Sequence, residues 1–350
     1  MKRVLIIVLS LLMVLSLAGC RSSDYKRAVE LYNEEDYAEA QTIFDSLQNY
    51  KDSEEYSKKC NDELLYAAAI ELQGDFDYIG AADIYKVIPG VRDSDERLAF
   101  CNSMLEALEA FNESVKSLND KNNEFQKAIS SAVELASSPN KALDENSRNE
   151  LIEKISSAKE AIITIPKDVE TIEELNSAAK ALLAVDYTEQ MASLSEAKDA
   201  LQRSLHQYAL VNNPAEEDVI ARLKTVSGIL AIEAATEDND PNGMLHKPGS
   251  YTAAIYFQYD KVSDEYVLKV IRDYGVIEAG TEAGGQIEVY ASEADAIQRN
   301  TYLSTFDGTF IASGSHTVIG TCVVRTSNVL TASQQKGLET KLIEALIKID

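Results

Sequence analysis

The strongest constraint on this chain is that it repeats itself at an offset of 41 residues. Glu35-Asp36-Tyr37 aligns with Phe76-Asp77-Tyr78, Ala40 with Ala81, Ile43 with Ile84, Phe44 with Tyr85 and Leu47 with Ile88. Upstream, Tyr25, Ala28 and Leu31 meet Tyr66, Ala69 and Leu72. Downstream, Asp52-Ser53 meets Asp93-Ser94, and Cys60 meets Cys101. A fixed period of this size marks a stacked supersecondary unit that cannot bury its apolar face alone. Ala28, Ala40, Phe44 and Leu47 are spaced 12, 4 and 3, and Ala69, Ala81, Tyr85 and Ile88 repeat that spacing. Small residues where two helices cross let the backbones approach, and a large residue one turn later fills the groove behind. Each unit therefore reads as a helix pair. Asp52-Ser53-Glu54-Glu55 and Asp93-Ser94-Asp95-Glu96 read as helix starts, with a capping residue and acids in the first turn.

This spacing resembles the tetratricopeptide repeat (TPR), whose usual period is about 34 residues. The resemblance covers residues 24–101. It implies a concave peptide-binding surface. A short array that only spaces or supports another domain is the alternative. Stability usually requires about three repeats, so the helix from Ser94 is expected to cap these two.

From Gly90 to Gly228 there is no glycine, and proline occurs only at 139, 166 and 214. Ala, Leu, Glu, Lys, Ser and Asn dominate, which favours helix. Helices are predicted over 94–136, 144–164, 169–184, 187–211 and 215–236, with short connections that imply antiparallel neighbours. His206 reads as a half-buried helical residue rather than a catalyst.

Composition changes near residue 237, and ten of the fifteen glycines lie from Gly243 onward. Strands are predicted at 251–259, 286–291 and 317–326, and helices at 264–273, 292–306 and 331–349. Their alternation points to a small α/β sandwich with helices on one sheet face. Several runs here are Thr236–Asn242, Gly249–Thr252, Gly284–Tyr290, Asp295-Ala296 with Arg299, and Val323–Ser327. The series resembles an uncharacterised extracellular domain found at the C-terminus of Gram-positive lipoproteins, and implies location and domain limits only.

The N-terminus reads as an address. Met1-Lys2-Arg3 precedes an apolar run from Val4 to Ala18, too short for the roughly twenty residues of a span. Leu17-Ala18-Gly19-Cys20 resembles the lipobox of bacterial lipoproteins. That resemblance implies that Cys20 carries a diacylglyceryl group, with palmitate-type acyl chains, and becomes the N-terminus of a protein held on the extracellular face of the cell membrane. The expected architecture is α+β multidomain: a signal peptide at 1–20, TPR-like helical repeats at 21–101, a helical bundle at 102–236 and the α/β sandwich at 237–350.

Charge and motifs narrow the function classes. The net charge of −25 repels phosphate backbones, which argues against nucleic acid as a partner. No G-x-S-x-G, H-E-x-x-H or credible triad is present, so no enzyme is expected. Asp238-Asn239-Asp240-Pro241-Asn242-Gly243 matches the first half of a calcium loop, making Asp238, Asp240 and Asn242 candidate Ca²⁺ ligands, although the closing position, 249, is Gly. An Asx-rich turn is the alternative reading. Cys60, Cys101 and Cys322 read as buried apolar residues without a disulfide. The expected function is a membrane-anchored scaffold binding an envelope protein or peptide. A calcium- or small-ligand-binding module at 238–243 is the alternative.

Overall fold

The computed structural model describes residues 21–309 and 314–349. They form a mainly helical chain with one five-stranded antiparallel sheet near its C-terminal end, an α+β layout. The chain divides into two compact units, one comprising residues up to Asn122 with Ile163–Asp186, the other Asn123–Ile162 with Tyr187–Asp350. Among the described residues no helix is long and apolar enough to cross a membrane.

In the first unit, residues 21–33 (α1) and Tyr37–Leu47 (α2) form one helix pair, and Ser53–Gly74 (α3) and Tyr78–Tyr85 (α4) the next. The 41-residue offset reaches the backbone. Asp36 and Asp77 are matching N-caps, accepting from the N–H groups of Glu39 and Gly80. Glu35 and Phe76 both sit at φ 64°, and Lys51 and Arg92 at φ 51° and 50°. The expected cap at Asp52 differs in detail: its side chain makes no cap bond, and Ser53 Oγ instead donates to Tyr50 O. The helix Ser94–Ala136 (α5) has the bounds its sequence predicts. Its Met104 and Ala107 pack against Leu175 of Ile172–Leu183 (α7), which opens on a Thr171–Glu174 capping box. Lys121 Nζ donates to the carbonyls of Leu183 and Val185 beyond the last turn of α7, where a cation suits the dipole.

In the second unit, Asn146–Glu160 (α6) packs on Thr188–Leu210 (α8). Arg148 donates to the carbonyls of Ala136, Ser138 and Asn140, closing the end of α5. The stretch expected as one bundle over 102–236 is therefore shared, α7 with the first unit and α6 and α8 with the second. The helix expected over 215–236 stops early. Glu216–Leu223 (α9) ends before Gly228, whose φ of 97° turns the chain into Ile229–Ala234 (β1). This run of apolar residues pairs with Tyr251–Tyr259 (β2), so the sheet begins ahead of residue 237.

The remaining elements are Glu265–Tyr274 (α10), Val276–Ala279 (α11), Gly284–Tyr290 (β3), Glu293–Ser304 (α12), His316–Ile319 (β4), Cys322–Thr326 (β5) and Ala332–Leu346 (α13). Strand order is β1-β2-β3-β5-β4. The single strand expected over 317–326 is a hairpin, bent at Gly320, where a Cβ would lie 2.4 Å from Val211 O. Helices cover both sheet faces, not one. Leu223, Leu338 and Leu342 lie with Ile255, Phe257 and Val324 on one face, and Ile277, Ala296 and Leu303 with Ala254, Tyr256 and Val323 on the other. Every residue of β3 and β5 is buried, so both side-chain directions of these central strands need cover.

Candidate functional site

The two helix pairs share a backbone but differ in what they present. Their cores are separate: Ala28, Ala40, Phe44, Leu47 and Cys60 in one, Ala69, Ala81, Tyr85, Ile88 and Cys101 in the other. Around these cores the second pair exposes large apolar side chains. Phe76 is 75% exposed, Ile79 63% and Val87 66%. The equivalent positions of the first pair hold Glu35, Ala38 and Ser46. Phe76 is also in the left-handed region, which a bulky residue rarely adopts and which costs of order 1–2 kcal/mol. The second pair thus exposes apolar side chains at three positions where the first holds polar or small ones. The first pair contributes a different feature, a cleft of about 590 Å³ between α2 and α3, where the carboxamides of Gln41, Gln48, Asn49 and Asn61 stand among charged Asp45, Glu54 and Lys58, with Phe44 and Ser57. Carboxamides offer both donors and acceptors, the groups that engage an extended peptide backbone.

The residues singled out in the sequence fall as follows. Cys20 lies outside the described residues. In the 238–243 loop, Asp240 is fully engaged. Its Oδ1 accepts from Asn242 N and Tyr251 Oη, and its Oδ2 from Met244 N, Leu245 N and the same phenol. Burial pushes its carboxyl up, but these bonds together outweigh burial and leave it below the usual range. Asn239 Oδ1 accepts from Thr236 N and Oγ1. The geometry is that of an Asx-rich turn closing onto β2. Among the described residues no three His, Cys, Asp or Glu side chains are grouped to hold a metal ion.

Cys60, Cys101 and Cys322 are free and buried. Burial pushes the Cys60 thiol up to about 11 and the Cys322 thiol up to about 12. The β4–β5 turn sets Ile319, not His316, opposite Cys322. His316 instead has Asn300 Oδ1 at Nδ1 and Asp307 Oδ1 at Nε2.

A polar cluster that spacing alone does not reveal lies inside the sheet domain. Glu288 on β3 is fully buried. Arg299 Nε and Nη2 donate to its two oxygens at 2.9 Å, Arg325 Nη1 donates at 2.8 Å and Tyr290 Oη at 2.8 Å. Burial raises the carboxyl of Glu288, and the two guanidinium groups and the phenol more than offset this, leaving it below the usual range. The phenols of Tyr290 and Tyr256 are pushed well up, first by burial and then by the charge of Glu288. With every oxygen of Glu288 paired, the cluster locks α12 to β3 and β5. The sequence signal for it was a set of charged residues at 288, 299 and 325 within otherwise apolar patterns.

Comparison with protein-family models, curated proteins and solved structures finds no match to this chain.

Proposed function

We propose that this protein is a lipid-anchored scaffold on the extracellular face of the cell membrane, non-catalytic, whose two TPR-like helix pairs bind an envelope protein or peptide. The observation that carries this reading is the apolar set Phe76, Ile79 and Val87, exposed where the sister repeat is polar or small. Exposed apolar groups rimmed by polar surface favour association, because covering them removes apolar area from water at about 25 cal/mol per Å². The start of the first helix is compatible with the proposed anchor. Arg21, the residue after Cys20, is already helical; its Nη2 donates to Leu47 O and its guanidinium lies 5.3 Å from the Tyr50 ring. A lipid on Cys20 would thus join the first helix pair without a linker and hold the repeats near the bilayer. Two acyl chains anchor firmly, since each buried CH₂ contributes about 0.8 kcal/mol.

The test is crosslinking on intact native cells with the full-length protein. Wild type is expected to remain with the membrane and to capture the same polypeptide in repeated trials. Ile79→Glu with Val87→Glu, two exposed changes that leave the core intact, should abolish that capture, and Cys20→Ala should release the protein into the medium. Equal capture by wild type and the double variant would contradict the assignment to the repeats. Membrane retention of Cys20→Ala would contradict the anchor.

A further inference from the structure

The second unit carries a surface cleft of about 310 Å³ between α10 and the chain from α11 to β3. Gly275, at φ 100°, reverses the chain at the end of α10, so that the two walls face each other. One wall is a stripe on α10, Tyr266, Val270 and Tyr274, at the four-residue spacing that lines up one helix face. The other presents Glu278 and Glu282 with Ala279 between them. Both tyrosines are largely exposed, 73% and 76%. The nearby Arg272 is paired with Asp273, and neither Glu278 nor Glu282 forms an ion pair among the described residues. Residues 264–282 carry five acids (Asp264, Glu265, Asp273, Glu278, Glu282) against two bases (Lys269, Arg272), a net charge of −3.

Two exposed tyrosines beside two carboxylates without an ion pair, with Val270 and Ala279 between them, match one chemistry: a cation borne on an apolar stem. We propose that this cleft receives an arginine side chain of a partner polypeptide. The planar guanidinium stacks on a tyrosine ring and forks onto a carboxylate, which a compact ammonium does less well. The methylene stem lies along Val270 and Ala279. The charge of the whole chain, −25, steers a basic segment toward it. The site is independent of the repeat surface, so either reading can fail without the other.

Amide chemical shifts of the full-length mature protein, followed during titration with the peptide acetyl-Gly-Gly-Arg-Gly-Gly-amide, test it. Shifts should concentrate at residues 264–283. The same peptide with neutral citrulline in place of arginine should bind at least about tenfold more weakly, the difference expected for a charge-assisted bond. Glu278→Gln with Glu282→Gln should lose a comparable factor. Each exposed cation–ring contact is worth a factor of about two to five, so Tyr266→Ala with Tyr274→Ala should weaken binding about five- to thirtyfold. Glu150→Gln with Glu153→Gln, which removes the same charge from α6, should change nothing. Equal binding of the arginine and citrulline peptides, or equal loss from the α6 control, would overturn the proposal in favour of diffuse attraction to an acidic protein. Ethylguanidinium binding as tightly as the peptide would overturn the polypeptide occupant.

Discussion

Glu288 shows what one residue settles in this molecule. A carboxylate on a central strand is costly to bury unless charges and hydrogen bonds replace water, and here Arg299, Arg325 and Tyr290 do so. Glu288→Gln keeps the shape but leaves two guanidinium groups facing a neutral amide. It is expected to destabilise the second unit by about 3–5 kcal/mol in urea unfolding at pH 7. The pH dependence has a definite sign. The folded carboxyl lies below the unfolded value of about 4.3, so its contribution is complete above that value and is lost as pH falls through the folded pKa. The gap between wild type and variant should therefore narrow as pH is lowered from about 4.3. A gap that stays constant would mean that shape, not charge, is at stake. Asp240 illustrates the same logic in a turn: the D-x-D-x-N-G spelling is shared by cation loops and Asx turns, and the contacts from Met244, Leu245 and Tyr251 follow the second pattern.

Between elements, the two repeats solve one packing problem in two ways. Phe44 has Tyr25, Tyr32 and Tyr56 around it, and the ring of Tyr56 stacks on it at 5.1 Å. At the matching place Tyr85 bears a hydroxyl, and it donates to Gln73 at 3.1 Å, while Arg97 binds Gln73 and Asp93. Gln73 and Arg97 occupy the positions of Tyr32 and Tyr56. A hydroxyl in the second core is thus accompanied by polar partners that the first core lacks. Tyr85→Phe, which removes a hydroxyl bonded to Gln73, is expected to cost about 1 kcal/mol, and Phe44→Tyr, which adds one to a ring packed on Tyr56, about 1–3 kcal/mol. Equal costs in a denaturant titration would show that the repeats are interchangeable there. Much of this level was legible in the sequence. The repeat offset, the bounds of α5 and β2 and the capping box at Thr331 follow from spacing and side-chain chemistry, whereas the caps at Asp36 and Asp77 were not anticipated. The misread elements have a common cause. Ile229–Ala234 and the 316–326 segment are short apolar runs whose periodicity fits more than one state, and cross-strand pairing decides between them. The second layer of helices was hidden for a related reason: a strand buried on both faces does not alternate.

For the molecule as a whole, the candidate surfaces were only partly readable. The contrast between Glu35, Ala38 and Ser46 and their partners Phe76, Ile79 and Val87 is present in the aligned repeats, but exposure is what gives it meaning, and exposure is a property of the fold. The α10 stripe likewise looks like a core face until its tyrosines are found outside. Under the proposed function, a partner engages the helix pairs. The most direct measurement is site-specific photo-crosslinking of the full-length protein on its native cells, with a benzophenone side chain placed in turn at Gln48, Ile79 and Glu150. Adducts to one and the same polypeptide from positions 48 and 79, and none from 150, are predicted. Adducts at none of the three, or equal yields at all three, would contradict a partner held on the repeats.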